Sequence, residues 1–174
     1  MYIQAFVLFF LFIVPIPRTE AQNEQVEGRV IRNIVFMRTE GLGMAELFYS
    51  HSKDKKIREM CSRIKSYYTA TQPDAVELCT GKNLQLAESE FELLYGRLQK
   101  GFEGYDSQKE GAYLEVCEDH INKSITFYTQ LVQDAASEEI SYFSFKALPE
   151  LFNLQQEIRK VRKQYPNPLA KARP

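Results

Sequence analysis

The stretch "SKDKKIREMCSRIKSYYTATQPD", residues 52–74, decides the fold class. Its apolar residues recur at intervals of three and four, and Lys, Arg and Glu fill most positions between them. This spacing puts one apolar stripe along a helix, so the stretch predicts an amphipathic helix with a buried face. Pro73 is expected to end the helix, and the segment up to Cys79 is expected to add at most one short turn. The predicted buried positions are Ile57, Met60, Cys61, Ile64, Tyr67 and Tyr68.

Helical periodicity continues on both sides of this stretch, and no alternation of polar and apolar residues is long enough to predict a sheet. In the first predicted helix, Gly41 and Gly43 indicate a kink or a close contact with another helix, because glycine weakens a helix interior. In the last one, Ser137 is the expected N-cap, and Pro149 is expected to bend or split the helix. The first predicted helix covers residues 26–50, and two further helices are predicted over residues 87–100 and 109–136.

Long amphipathic helices with short connections predict an all-α protein, folded as an up-down four-helix bundle with a kinked C-terminal helix. The first pair and the last pair of helices are expected to form hairpins. The bundle domain is predicted over residues 22–165, and a flexible basic tail over residues 166–174. The helix at residues 87–100 is expected to turn one set of side chains inward: Phe91, Leu94, Tyr95 and Leu98.

The first residues predict a signal peptide over residues 1–21. An apolar run at residues 5–16 is too short to cross a membrane comfortably, and prolines and small or polar residues follow it. Thr19 and Ala21 occupy the small-residue positions of a cleavage site. The protein is therefore expected to be periplasmic or secreted, with no membrane span after cleavage. Because no Lys or Arg precedes the apolar run, anchoring by an uncleaved N-terminal segment is the alternative.

Composition excludes some functions. The chain has 22 Lys and Arg against 23 Asp and Glu, a formal net charge of −1, which creates no long-range field for nucleic acid. Binding to nucleic acid is therefore not expected.

The three cysteines are an odd number without a C-x-x-C pair, so at most one pair can form within a chain. We expect them to be buried thiols.

The order of motifs resembles a ferritin-like domain of unknown function that occurs in many exported bacterial proteins. The resemblance rests on "GLGMAEL", "SKDKKIREMCSRIKSYY", "AYLEVCEDHINKSITFY" and "FKALPELFNLQQEI". It implies a ferritin-like bundle and an exported protein. Of three family histidines, only His120 has a counterpart here, because Tyr68 and Leu154 stand where the other two are expected. The fold is therefore implied more firmly than any site.

The stretch "EVCEDHINK", residues 115–123, contains the best candidates for a metal site. Cys117 and His120 lie three residues apart on one helix face and could share a transition metal. Further ligands would have to come from facing helices, with Cys61, Met60, Glu46 and His51 as the candidates. Val116, Cys117, His120 and Ile121 are expected to face inward, and Glu118 and Asn122 outward.

A buried histidine that is hydrogen-bonded to a tyrosine or a carboxylate is the simpler interpretation of His120. Ferritin-like di-iron sites need Glu-x-x-His, and the residues three before the two histidines are Phe48 and Cys117. The pattern therefore predicts no enzyme, no catalytic residue and no cofactor, with a transition metal as the alternative.

Three functions follow from these predictions. The leading hypothesis is a non-catalytic binding or scaffolding role in the cell envelope, with an envelope protein or a small ligand as the partner. The alternative is a metal-binding or redox bundle centred on His120. A secreted helical signalling factor shares the architecture and is the third hypothesis.

Overall fold

The computed structural model describes residues 20–82, 84–134 and 137–165, and side chains from residue 23 onward. These residues form α-helices joined by short connections, with no strand in the described ranges, so the all-α prediction is confirmed. The apolar N-terminal run and the basic tail lie outside the described residues, and the predicted cleavage position lies in the first turn of α1. The helices are α1 (Glu20–His51), α2 (Lys55–Ala70), α3 (Gln72–Cys79), α4 (Glu88–Phe102), α5 (Glu110–Asp134) and α6 (Glu138–Arg162).

The long helices α1, α2, α5 and α6 pack in a ring around one core. α1 packs against α2 and α5, and α6 packs against the same two helices. Glu40 contacts His120, whereas Phe48, two turns later on α1, contacts the earlier Tyr113, so α1 and α5 run antiparallel.

α5 and α6 also run antiparallel, because Asn122 contacts Gln155 while the earlier Glu118 contacts the later Arg159. The contacts of α2 with α1 and with α6 show the same antiparallel order. The first and last pairs therefore form hairpins, as predicted. The predicted up-down alternation is wrong between the hairpins, because α2 and α5 are both antiparallel to α1 and therefore run in the same direction.

Helix α2 begins and packs as its sequence predicts. Asp54 is the N-cap, and its carboxylate accepts hydrogen bonds from the backbone N–H groups of Lys56 at 2.8 Å and Ile57 at 3.2 Å. The residues that α2 buries are the six predicted ones: Ile57, Met60, Cys61, Ile64, Tyr67 and Tyr68.

The connection between the hairpins is more helical than predicted. Residues 72–79 form helix α3 instead of one short turn, because Pro73 lies in the first helical turn, where its missing N–H is not needed. Helix α4 packs along α1, where Phe91 stacks on Phe36 with ring centroids 4.7 Å apart. Tyr95 is 48% exposed, so the predicted inward stripe of this helix is wrong at that position.

Helix α6 runs unbroken through Pro149, so the prediction that this residue splits the helix is wrong. A bend there stays a prediction. Pro149 is exposed, and Phe145, whose carbonyl loses its helical partner to the proline, is also exposed. That carbonyl can bind water, and this reduces the cost of the proline. Ser137 caps the helix as predicted, accepting a hydrogen bond from the N–H of Ile140 at 3.3 Å.

None of the helices in the described ranges combines the length and the apolar character that crossing a lipid bilayer requires.

Candidate functional site

His120 lies in the core of the ring, where it contacts both α1 and α2. It is 6% exposed. Its Nε2 lies 3.1 Å from the hydroxyl oxygen of Tyr68, and its Nδ1 lies 3.2 Å from Oε2 of Glu40. A neutral imidazole with its proton on Nδ1 satisfies both contacts, because Nδ1–H donates to the carboxylate and Nε2 accepts from the phenol. The interpretation of His120 as a hydrogen-bonded core histidine is thus confirmed in geometry.

Gly41 makes this arrangement sterically possible. A Cβ atom added at Gly41 would lie only 2.6 Å from Nε2 of His120 and would also overlap the Tyr68 hydroxyl. Such distances are far shorter than van der Waals contact, so only glycine lets α1 approach this closely. Of the two explanations predicted for Gly41, the close contact with other helices is confirmed.

A buried guanidinium lies one helical turn from Gly41. Arg38 is 4% exposed, and it donates hydrogen bonds to the backbone carbonyl of Tyr68 at 2.8 Å and to the hydroxyl of Thr71 at 2.9 Å. Its guanidinium also lies over the rings of Tyr68 and Phe143, 5.3 Å and 5.8 Å from their centroids. Arg38 therefore ties α1 to the C-terminal end of α2.

Sequence reasoning missed Arg38 and Glu40, although the sequence contains a signal for Arg38. The buried positions of α1 recur at intervals of three and four, and Arg38 lies at one of them. A charged residue on an otherwise apolar stripe indicates a buried charge with dedicated partners. The stripe consists of Ile31, Ile34, Arg38, Gly41, Ala45 and Phe48.

Burial keeps the thiols and phenols of this core uncharged. It raises the pKa of the Cys117 thiol to about 12 and the pKa of the Tyr128 phenol to about 12. It also raises the pKa of Cys61 and the pKa of Tyr68 well above their ordinary values. The thiols are therefore protonated at neutral pH, and a protonated thiol is a poor nucleophile and a poor metal ligand.

The hydrogen bond with His120 lowers the pKa of Glu40 below its ordinary value. The Glu40 side chain is 45% exposed, so it connects the buried histidine with the surface. Glu40, His120 and Tyr68 thus form a polar chain from the solvent to the centre of the ring.

The candidates predicted as further metal ligands do not all lie in the core with His120. Cys117, Cys61 and Met60 are buried in the same core as His120. Glu46 is exposed, and its carboxylate lies 3.4 Å from the ammonium of Lys65.

His51 is exposed at the end of α1, with Nδ1 2.7 Å from the carbonyl of Leu47. It lies about 15 Å along α1 from Gly41, the residue that contacts His120. Among the described residues, no three His, Cys, Asp or Glu side chains are grouped so that they could hold a metal ion.

Two predictions for the stretch at residues 115–123 are wrong. Val116 is 56% exposed, and Glu118 is buried. The Glu118 carboxylate accepts a hydrogen bond from Nε of Arg159 at 2.7 Å, and Nη1 of Arg162 lies 2.9 Å away. These two α6 arginines offset the free-energy cost of burying the Glu118 carboxylate. The sequence of α5 alone could not predict this, because both arginines belong to another helix.

Surface clefts lie elsewhere. The larger, about 1130 Å³, is lined by the first part of α1, the end of α3 and the first turns of α6. The smaller, about 440 Å³, lies on the outer face of α5. Neither cleft is lined by His120, Cys117 or Cys61. The histidine core therefore has no access to these two clefts.

Comparisons of this chain with protein-family models, with curated proteins and with solved structures find no match. The resemblance to a ferritin-like family of exported bacterial proteins therefore stays a prediction.

Proposed function

We propose that this protein is an exported helical bundle that acts in the cell envelope by binding or scaffolding, without catalysis. The observation that carries the proposal is the closed environment of His120. Both ring nitrogens contact protein groups, Tyr68 and Glu40, and Gly41 packs against the ring. A catalytic histidine needs a position beside it for a substrate atom. Here those positions are filled, so the polar core supports a structural role.

We also propose a ferritin-like arrangement for the ring. α1 and α2 form one antiparallel hairpin, α5 and α6 form another, and α3 and α4 connect the two. A pair of hairpins joined by one long crossover is the connectivity of ferritin-like bundles. This connectivity supports the resemblance at the level of the fold, and it is independent of any ligand set.

A metal-binding bundle centred on His120 is the second candidate, because one observation favours it. Tyr68 stands where the resembled family carries a second histidine, and its hydroxyl lies 3.1 Å from His120 Nε2. Two family positions therefore converge on one point of the core, as the ligands of a shared metal would.

The two histidines of the chain allow a matched experiment. We would compare wild-type protein, His120→Gln and His51→Gln after incubation with zinc, copper and iron salts, followed by desalting and elemental analysis. We expect little bound metal in all three proteins. We also expect the free energy of unfolding to fall by about 1–3 kcal/mol in His120→Gln, because Tyr68 and Glu40 lose their partner. His51→Gln should change it by less than about 0.5 kcal/mol, since His51 is exposed.

One metal ion per chain that disappears only in His120→Gln would reject the proposal and support the second candidate. Unchanged stability of His120→Gln would also contradict a structural role for the histidine.

A further inference from the structure

The outward side of α6 carries an exposed row of side chains that no other described helix covers. Its central members are large and apolar: Tyr142 and Phe145 are each 66% exposed, and Phe152 is 44% exposed. Single exposed apolar residues are common on protein surfaces, but an ordered row of aromatic residues indicates an interaction site. We define the α6 outer row as Glu138, Tyr142, Phe145, Pro149, Phe152, Gln156 and Lys160, all of them exposed.

The row has the periodicity of a helix-packing seam. Successive members are three or four residues apart, so they lie on one side of α6 within a narrow strip. The opposite side of the helix carries the core residues Ile140, Leu151 and Ile158. α6 is therefore apolar on two sides, although the ring needs only one of them.

The charges along the row favour a second copy of this chain as the partner. The row begins with Glu138 in an acidic first turn and ends with Lys160 in a basic last turn. Glu138 lies eleven residues before Pro149, and Lys160 lies eleven residues after it. A second copy of α6, turned by a two-fold rotation about Pro149, would therefore place its Lys160 opposite Glu138, and its Glu138 opposite Lys160.

The aromatic residues fit the same rotation. Phe145 lies four residues before Pro149 and Phe152 three residues after it, so each would meet the other residue of the second copy. Antiparallel helices also align their dipoles favourably. We propose that the α6 outer row is the interface of a symmetric homodimer, in which two copies of α6 pack antiparallel about an axis near Pro149. This inference goes beyond the proposed function and does not depend on it.

The area of the α6 outer row indicates what class of interface the dimer would have. From Glu138 to Lys160 the row is about 33 Å long at 1.5 Å per residue, and a helix is about 10 Å wide. The footprint is then roughly 330 Å² per copy, well below the roughly 800 Å² per partner of a standard stable interface. The dimer should therefore be weak and reversible, with a dissociation constant in the micromolar range.

Sedimentation velocity from about 1 to 300 µM tests the inference, because the mass should rise from one chain of 20.3 kDa toward two. Phe145→Asp should weaken dimerisation at least about tenfold. Leu93→Asp is the matched control, since Leu93 is 61% exposed on α4. It should leave the dimer intact. Monomer at all concentrations, or equal effects of the two variants, would overturn the inference.

A charge exchange tests the direction of packing. Glu138→Lys and Lys160→Glu should each weaken the dimer, and the chain that carries both changes should recover it. Additive weakening in the double variant would exclude the antiparallel arrangement.

Disulfide trapping gives an independent test in a Cys79→Ser background. Pro149→Cys should form a covalent dimer under oxidation. Glu138→Cys alone should not, because its two copies would be about 33 Å apart, but it should form one with Lys160→Cys. Covalent dimers of Glu138→Cys alone would indicate parallel packing and overturn the inference.

Discussion

Gly41 has less room for a side chain than the other glycines in the described ranges. The Cβ atom of an alanine would lie 2.6 Å from His120 Nε2, so either α1 or the Tyr68–His120 pair has to move. We expect Gly41→Ala to lower the free energy of unfolding by about 1–3 kcal/mol, despite the gain in helix propensity. Gly96→Ala is the control, because nothing lies within 4 Å of the added Cβ on α4. It should stabilise by up to about 1 kcal/mol. Urea unfolding measures both, and equal signs would contradict the close contact.

Adjacent tyrosines on α2 provide a matched pair for the hydrogen bond to His120. Tyr68 contacts His120 Nε2, whereas the buried Tyr67 hydroxyl has no hydrogen-bond partner among the described residues. Tyr68→Phe should therefore destabilise by about 1–3 kcal/mol, since it leaves a buried nitrogen unsatisfied. Tyr67→Phe should be neutral or slightly stabilising. Thermal unfolding of the two single variants measures both changes in stability. A larger loss of stability in Tyr67→Phe than in Tyr68→Phe would refute the hydrogen bond between Tyr68 and His120.

Glu40 makes part of the stability dependent on pH. Its pKa is lowered from 4.5 in the folded protein, first through the hydrogen bond with His120. The folded state therefore favours the carboxylate, and this contribution is present above pH 4.5 and is lost as the pH falls through the lowered value. Wild type should be more stable than Glu40→Gln at pH 7, and the difference should shrink below about pH 4.5. Urea unfolding at several pH values measures it.

The control for this pH series is Glu92→Gln, which changes an exposed glutamate on α4. Its difference from wild type should stay small across the same range. A Glu40→Gln difference that grows toward acid would contradict the contact with His120.

Among the elements, α2 shows what sequence can predict. Its six buried residues follow from periodicity alone, because one stripe of apolar side chains must be covered whatever the partner is. Helix α4 differs, since it packs mainly along α1 at the edge of the ring and leaves Tyr95 exposed. Glu118 shows the same limit, because its burial depends on Arg159 and Arg162 of another helix. Local pattern predicts which face is apolar, whereas partner helices decide which polar residues are buried with it.

The start of α2 can be tested by changing its cap. Asp54 accepts from two backbone N–H groups of the first turn, at 2.8 Å and 3.2 Å. Asp54→Ala should cost about 1 kcal/mol, because those groups lose their acceptor. Asp54→Asn keeps a side-chain oxygen at the cap and should cost clearly less. Chemical unfolding of the two variants measures the cap, and equal losses would assign the effect of Asp54 to its charge.

At the scale of the whole molecule, the ring contains two sets of buried hydrogen bonds at different positions along its length. Glu110 near one end accepts from the hydroxyls of Ser52 at 2.8 Å and Tyr105 at 2.5 Å. His120 pairs with Tyr68 and Glu40 farther along. Glu110 joins α5 to the connection between α1 and α2, and His120 joins α5 to both of those helices, so a shift of register along the ring would break several of these hydrogen bonds together. These sets therefore favour one alignment of the helices over shifted ones.

The three cysteines report whether this ring opens. Cys61 and Cys117 are buried, and Cys79 is partly exposed at the end of α3. Burial raises the pKa of Cys117 to about 12, so both access and thiolate formation disfavour its alkylation. At pH 8 a maleimide should modify Cys79 first, and the core thiols about a thousandfold or more slowly, because they must wait for unfolding. Mass spectrometry over time should show one fast adduct, absent in Cys79→Ser, and three adducts in urea. Rapid labelling of Cys61 or Cys117 in the native protein would mean that the core opens without global unfolding. That result would contradict a closed polar core and, with it, a structural role for His120.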